Sequence, residues 1–86
     1  MKNEGWLMDR ITKNTKRFHR DEKSWQSQPY VFIDSGEPVT NGPALLKRRD
    51  YLHIRDARKE WKRLICEGWI IVRPQWVGES EDSYKY

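Results

Sequence analysis

Basic residues are concentrated in one part of the chain, and they are the side chains with the clearest chemistry. Residues 47–63 contain eight Lys or Arg and three Asp or Glu, a net charge of +5, whereas the whole 86-residue chain carries +4. Such a cluster is typical of a surface that attracts polyanions, because Lys and Arg neutralise phosphates and release their counterions. The candidate binding residues are Lys47, Arg48, Arg49, Tyr51, Arg55, Arg58, Lys59, Lys62 and Arg63.

The last five of these residues fall on one side of a predicted helix. At about 100° per residue they occupy a sector of about 140°. Asp56, Glu60 and Glu67 occupy a separate sector. Solvated helices that are stabilised by i, i+4 ion pairs usually interleave the two signs. The segregation therefore predicts an open positive face that binds a polyanion. Nucleic acid is the expected polyanion, with Tyr51 able to stack on an unpaired base.

Two other interpretations of this basic face stay open. Arg, Tyr and Trp are also common in protein–protein hot spots. The partner would then be a protein with an acidic surface, and the chain an adaptor or inhibitor that docks on a host protein. The third interpretation is an ordinary solvated helix surface in a basic protein.

Residues suited to catalysis or metal binding are sparse. One cysteine, Cys66, and two distant histidines, His19 and His53, cannot supply the paired ligand spacing of a structural zinc site. The five glycines are scattered, so the sequence contains no phosphate-binding loop. A chain this short also leaves little room for a deep pocket. We therefore expect no enzymatic activity, no metal and no cofactor.

The cellular compartment is predicted from cysteine usage and hydropathy. A single cysteine excludes an internal disulfide, and secreted domains of this size usually carry several. The first residues contain no apolar stretch typical of a signal peptide. No window approaches the run of about 18 apolar residues that a membrane span requires. We expect a cytoplasmic protein.

The helix that positions the basic face is predicted at residues 54–67. Ile54, Ala57, Trp61, Leu64 and Ile65 have the spacing of a helix with one buried face. The glycine at position 68 suits the left-handed position that ends helices.

Strand segments are shorter and surround this helix in the sequence. Residues 30–33 are the best candidate, with a turn predicted at 34–36, and residues 69–72 are the second. Residues 15–20 are interpreted as a polar edge strand, residues 6–8 as a further strand, residues 44–52 as extended and residues 41–43 as a turn.

The expected fold is α+β, with a mainly antiparallel sheet of three to five strands and one helix packed on it. Residues 1–77 are predicted to form a single domain, followed by a mobile acidic tail at 78–86.

Aromatic residues and turn residues recur along nearly the whole chain in a distinctive order. They are Trp6-Leu7, Phe18, Ser24-Trp25, Tyr30-Val31, Asp34-Ser35-Gly36-Glu37-Pro38, Leu45-Leu46-Lys47, Ala57, Trp61, Leu64, Gly68-Trp69 and Trp76. This order resembles the domain of unknown function 1651 family, small proteins of marine cyanobacteria and their phages. The resemblance implies a cyanobacterial or cyanophage cytoplasm, but no activity and no functional residues. The basic cluster at 47–49 and Cys66 are not part of the family pattern.

Overall fold

The computed structural model describes residues 4–40 and 42–75. In chain order the elements are β1 (Glu4–Met8), β2 (Thr15–Arg20), β3 (Tyr30–Val39), β4 (Gly42–His53), α1 (Ile54–Cys66) and β5 (Ile70–Ile71). The strands form one antiparallel sheet in the order β4-β3-β2-β1-β5, and α1 packs on one face of it. The predicted α+β class, with a mainly antiparallel sheet and one helix, is confirmed. The predicted tail at 78–86 lies outside the described residues.

The helix begins and ends where the sequence predicts, with a difference of one residue at its C-terminus. The His53 ring caps the first turn, since its Nδ1 accepts a hydrogen bond from the Arg55 amide at 3.1 Å. At the other end, the Gly68 amide donates to Ile65 and the Trp69 amide donates to Leu64. These two bonds form a Schellman motif, and the φ angle of +102° at Gly68 supplies its left-handed residue.

The hydrophobic core lies between the helix and one face of the sheet. Its buried members are Leu7, Phe18, Val31, Ile33, Ala57 and Leu64, with Leu52, Ile54, Trp61 and Trp69 packed against them. The rings of Phe18 and Trp61 meet edge to face, with their centroids 5.1 Å apart. Ile65 is 40% exposed, so the prediction that it lies on the buried face is wrong. Its side chain projects about 100° from that of Leu64, which carries it beyond the contact with the sheet.

Strand β2 is correctly located, but it is a central strand and not the predicted polar edge strand. It pairs with β1 on one side and with β3 on the other. Its polar residues Thr15, Arg17 and His19 are buried on the face opposite the helix. Five of its six residues are polar, so β2 resembles a solvated edge strand in sequence, because a buried polar face and a solvated face use the same residue types.

Strand β3 runs straight through the predicted turn at 34–36. Asp34 is buried and paired, so its carboxylate does not initiate a turn, and the strand continues to Val39. The register instead shifts between Ser35 and Gly36, where β4 contains an extra residue. The predicted turn at 41–43 is also displaced. Gly42 already pairs with Val39 at the start of β4, and Asn41 lies outside the described residues.

Strand β5 is reduced to two of the four residues predicted. Ile70 and Ile71 pair with Met8 and Leu7 at the β1 edge of the sheet. Within the part of the chain that the structure describes, no helix is long and apolar enough to cross a membrane.

Candidate functional site

The nine predicted binding residues lie on separate surfaces of the molecule. Four of them form one exposed group on the helix, which we call the helix cations. Among the described side chains, at residues 5–40, 42 and 44–75, none forms an ion pair or a hydrogen bond with the side chains of the helix cations. The helix cations are Arg55, Arg58, Lys59 and Lys62.

Arg63 differs from the helix cations because it is paired on both sides. Its Nε and Nη2 atoms donate to the Glu60 carboxylate at 3.0 and 2.6 Å, and its Nη1 donates to Glu67. These bonds raise the pKa of Arg63, and the bond from Arg63 lowers the pKa of Glu60. The prediction that the charges of the helix are segregated is therefore wrong for Arg63, which borders the acidic sector and interacts with it.

The three basic residues at 47–49 do not form one cluster. Cross-strand neighbours share a face of the sheet, and Arg48 is opposite Ser35 on the helix side while Arg49 is opposite Asp34 on the other side. Arg48 donates to Asp50 through Nε at 3.0 Å. Since strand residues alternate between the two faces, a continuous basic run in the sequence becomes two surfaces in the fold.

Tyr51 is already engaged within the sheet. Its ring stacks on Tyr30 with centroids 4.8 Å apart and an interplanar angle of 15°, and it also packs against Phe32. Its hydroxyl donates to the Asp21 carboxylate at 2.5 Å, which raises the pKa of Tyr51 to about 12. The ring is half exposed, but its contacts with Tyr30 and Phe32 reduce the surface on which a nucleic-acid base could stack.

A polar cluster on the face opposite the helix was not found from the sequence. Asp34 is buried and accepts hydrogen bonds from His19 at 2.8 Å and from the Arg49 guanidinium at 2.5 and 3.0 Å. The Arg49 guanidinium also lies over the Phe32 ring, 4.7 Å from its centroid. Burial acts to raise the pKa of Asp34, but the bonds from His19 and Arg49 outweigh it and hold that pKa at about 2.

The position of this cluster across the sheet favours a structural role. The bonds to Asp34 link three adjacent strands, with His19 on β2, Asp34 on β3 and Arg49 on β4. Its carboxylate is buried and fully hydrogen-bonded, which suits a structural role better than proton transfer to a ligand. The residues that meet at Asp34 are 15 positions from it in the sequence, so the contact cannot be identified from the local pattern.

Metal binding has no geometric basis in the described residues. No group of three or more His, Cys, Asp or Glu in 4–40 and 42–75 is placed to hold a metal ion. Cys66 is exposed on the helix surface.

The comparisons with known proteins give a family and no function. The chain belongs to the family described as protein of unknown function (DUF1651), which matches residues 4–76. No curated protein matches the sequence, and no solved structure does. The predicted resemblance is thereby confirmed over nearly the whole chain.

Proposed function

We propose that this member of the family is a small, non-catalytic binding module that contacts a polyanion, and that the polyanion is nucleic acid. The observation that carries the proposal is the group of four exposed helix cations with no acidic partner in the described part of the chain. We also propose that the module works in the cytoplasm, in keeping with its single, exposed cysteine.

The spacing of the helix cations suits a phosphate backbone. From Arg55 to Lys62 the helix advances about 10 Å, at 1.5 Å per residue. Measured along the axis of a duplex, successive phosphates of one strand are about 3.4 Å apart, so a protein helix parallel to that axis spans about three of them. Lys and Arg on one exposed helix face can therefore neutralise several successive phosphates, which provides affinity without reading the base sequence.

The arrangement of the ionisable groups supports a module without a catalytic role. The most strongly perturbed carboxylate, Asp34, is buried between His19 and Arg49 and has no accessible oxygen with which to abstract a proton. Arg63 and Glu60 form a surface ion pair, which is a common feature of solvated helices.

The salt dependence of binding tests the proposal. With about four phosphate contacts, log K should fall against log salt with a slope of about −3, so that affinity drops by about two decades between 50 and 200 mM salt. Fluorescence anisotropy with a labelled single-stranded or double-stranded 20-mer measures this slope. Absence of micromolar binding at 50 mM salt would contradict the proposal.

A matched pair of double variants then locates the interface. Arg58→Gln with Lys62→Gln should reduce the steepness of the slope by about 1.5, since each lost contact removes about 0.7–0.9. The control is Arg10→Gln with Lys23→Gln, which removes the same charge from two exposed loop positions. If both double variants change the slope equally, binding follows net charge and not the helix surface.

An adaptor or inhibitor that docks on a host protein is the second candidate, and exposed apolar residues on the β3–β4 hairpin favour it. Val39 is 42% exposed and Leu45 is 52% exposed. Capture from native lysate, with and without nuclease treatment, separates the two candidates. A captured protein that survives nuclease, and that is lost on Leu45→Ser, would favour the adaptor.

A further inference from the structure

A groove on the helix side of the sheet combines cations, a hydroxyl and an indole ring. It has a volume of about 290 Å³ and is lined by residues at the start of β2, by residues of β3 and β4, and by Trp69, which lies between the helix and β5. That volume is at the lower end for small-molecule sites. The residues used in the argument are Lys16, Ser35, Glu37, Lys47, Arg48 and Trp69.

Lys16 lines the groove and is partly buried. Its ammonium donates to the Ser35 hydroxyl at 2.9 Å and lies 6.0 Å from the centroid of the Trp69 ring. An ammonium has three donors, and Ser35 is its one hydrogen-bond acceptor among the described residues. Burial removes the Lys16 ammonium partly from water and thereby lowers its pKa. A ligand with anionic oxygens would restore the interactions that water no longer provides.

A β-bulge brings two further cations to the same groove. Consecutive residues of a regular strand point to opposite faces. Here Arg48 pairs with Ser35 and Leu46 pairs with Gly36, so Lys47 is an extra residue on β4 without a cross-strand partner. A bulge of this kind redirects a side chain. As a result, Lys47 and Arg48 both line the groove although they are adjacent in the chain.

The charges around Lys16 set what the groove can bind. Four charged groups act on its ammonium: Glu60, Asp50, Arg48 and Arg63. Each of these carboxylates is paired with an arginine, Glu60 with Arg63 and Asp50 with Arg48.

Lys16 and Lys47 form no ion pair within the described residues, and Glu37 is the one carboxylate that lines the groove. The groove lining thus has an excess of cations and a single carboxylate that can accept from hydroxyl or amino groups.

We infer that this groove binds a single nucleotide, with the phosphate held by Lys16, Lys47 and Arg48 and the base against Trp69. Glu37 would accept a hydrogen bond from the sugar or from an amino group of the base. Trp69 is only partly buried, and its indole provides the flat apolar surface on which a base stacks. The inference goes beyond the proposed function because it uses none of the helix cations. A phosphate joined to a sugar and a base occurs both in a free nucleotide and at the phosphorylated end of a strand, so either could be the ligand.

Isothermal titration with adenosine 5′-monophosphate, adenosine and inorganic phosphate tests the inference on the full chain. The monophosphate should bind with a Kd below about 1 mM, and each of its parts at least about tenfold more weakly. A 10-mer with a 5′-phosphate that competes better than its 5′-hydroxyl counterpart assigns the site to strand ends. Equal competition assigns it to the free nucleotide. Failure of the monophosphate to bind at 10 mM would overturn the inference and would leave the salt-dependent binding of a 20-mer unaffected.

Three variants assign the roles of the groove residues. Lys16→Met keeps the length of the buried stem and should weaken binding of the monophosphate at least about tenfold. Trp69→Leu should weaken the monophosphate about tenfold while leaving inorganic phosphate unchanged, because only the base stacks. Arg48→Gln changes a side chain that is 71% exposed, so it should weaken phosphate binding without affecting the fold.

Lys23→Gln, at an exposed position on another loop, is the charge-matched control. Proton–nitrogen spectra of every variant report the fold together with binding. Wild-type affinity in Lys16→Met or Arg48→Gln, or equal losses in all four variants, would overturn the assignment.

Discussion

Arg49 holds Asp34 through two hydrogen bonds, at 2.5 Å from Nε to Oδ1 and at 3.0 Å from Nη2 to Oδ2. The Arg49 side chain is half exposed, whereas that of Asp34 is almost fully buried. The pair therefore links the edge strand β4 to the interior of the sheet. Without its partners the Asp34 carboxylate would be a buried, unpaired charge, which lowers the stability of the fold.

Replacing Asp34 with Asn should destabilise the fold by about 1–3 kcal/mol, because its charge-assisted hydrogen bonds are lost while the half-exposed Arg49 can still reach solvent. The loss arises because Arg49 and His19 keep their donors but lose the negative charge that they share. Urea unfolding monitored by Trp fluorescence measures the change. Glu37→Gln, an exposed carboxylate on the same strand, is the control and should change the free energy of unfolding by less than about 0.5 kcal/mol.

The same carboxylate predicts a pH dependence. The pKa of Asp34 is about 2 in the folded chain, below its ordinary value of 3.8. A group with a lowered pKa stabilises the fold fully above its unfolded value and loses that contribution as the pH falls towards its folded value. Stability should therefore decline between about pH 4 and pH 2, and this decline should be smaller in Asp34→Asn. An equally steep decline in both proteins would show that other carboxylates are responsible.

Trp61, the single aromatic residue of the helix, is expected to contribute strongly to the stability of the fold. It packs against the core and contacts Phe18 edge to face, so Trp61→Ala should cost about 3–5 kcal/mol. Trp25, which is 80% exposed, provides the matched comparison, and Trp25→Ala should leave the melting temperature nearly unchanged. Similar melting temperatures for the two variants would place Trp61 outside the core.

Gly5 is predicted to be intolerant of any side chain because β1 passes directly beneath the Trp61 ring. A Cβ atom at position 5 would lie 2.8 Å from Trp61 Cη2, closer than such atoms approach. Gly5→Ala should therefore destabilise the fold by about 1–3 kcal/mol. Gly42→Ala, where the nearest atom would be 3.5 Å away, serves as the control.

A second substitution checks the cause of that effect. Trp61→Leu removes the clashing ring atoms, so adding Gly5→Ala to it should cost much less than in the wild-type chain. Full additivity in this double-mutant cycle would rule out the Trp61 contact as the source of the loss.

The sequence predicted the parts of the fold that depend on local signals. The 3.6-residue period located the helix, and Gly68 located its end because a left-handed residue is needed there. The prediction that β2 is an edge strand was wrong because the burial of Arg17 and His19 depends on partners in other strands. Those partners cannot be identified from the local sequence pattern. The continuation of β3 through Asp34 was missed for the same reason.

The candidate site was predictable only in part. The helix cations followed from the helical period, since their exposure depends on the direction of the buried face. The separation of Arg48 from Arg49 and the redirection of Lys47 depend on strand alternation and on a one-residue bulge. Pairing between distant segments sets both features. Lys16 was missed because a single lysine in a polar strand has no local signal.

The junction between β4 and α1 contains no loop, since His53 ends the strand and also caps the helix. Two further contacts fix it: the Ile54 amide donates to the Pro29 carbonyl at 2.9 Å, and the His53 ring meets Tyr30 edge-on at 5.6 Å. The chain therefore has no hinge at this point, and the direction of the helix is set when the sheet forms. The conformational entropy of orienting the helix is lost during folding. Binding of a ligand to the helix therefore includes no further entropy cost for orienting it.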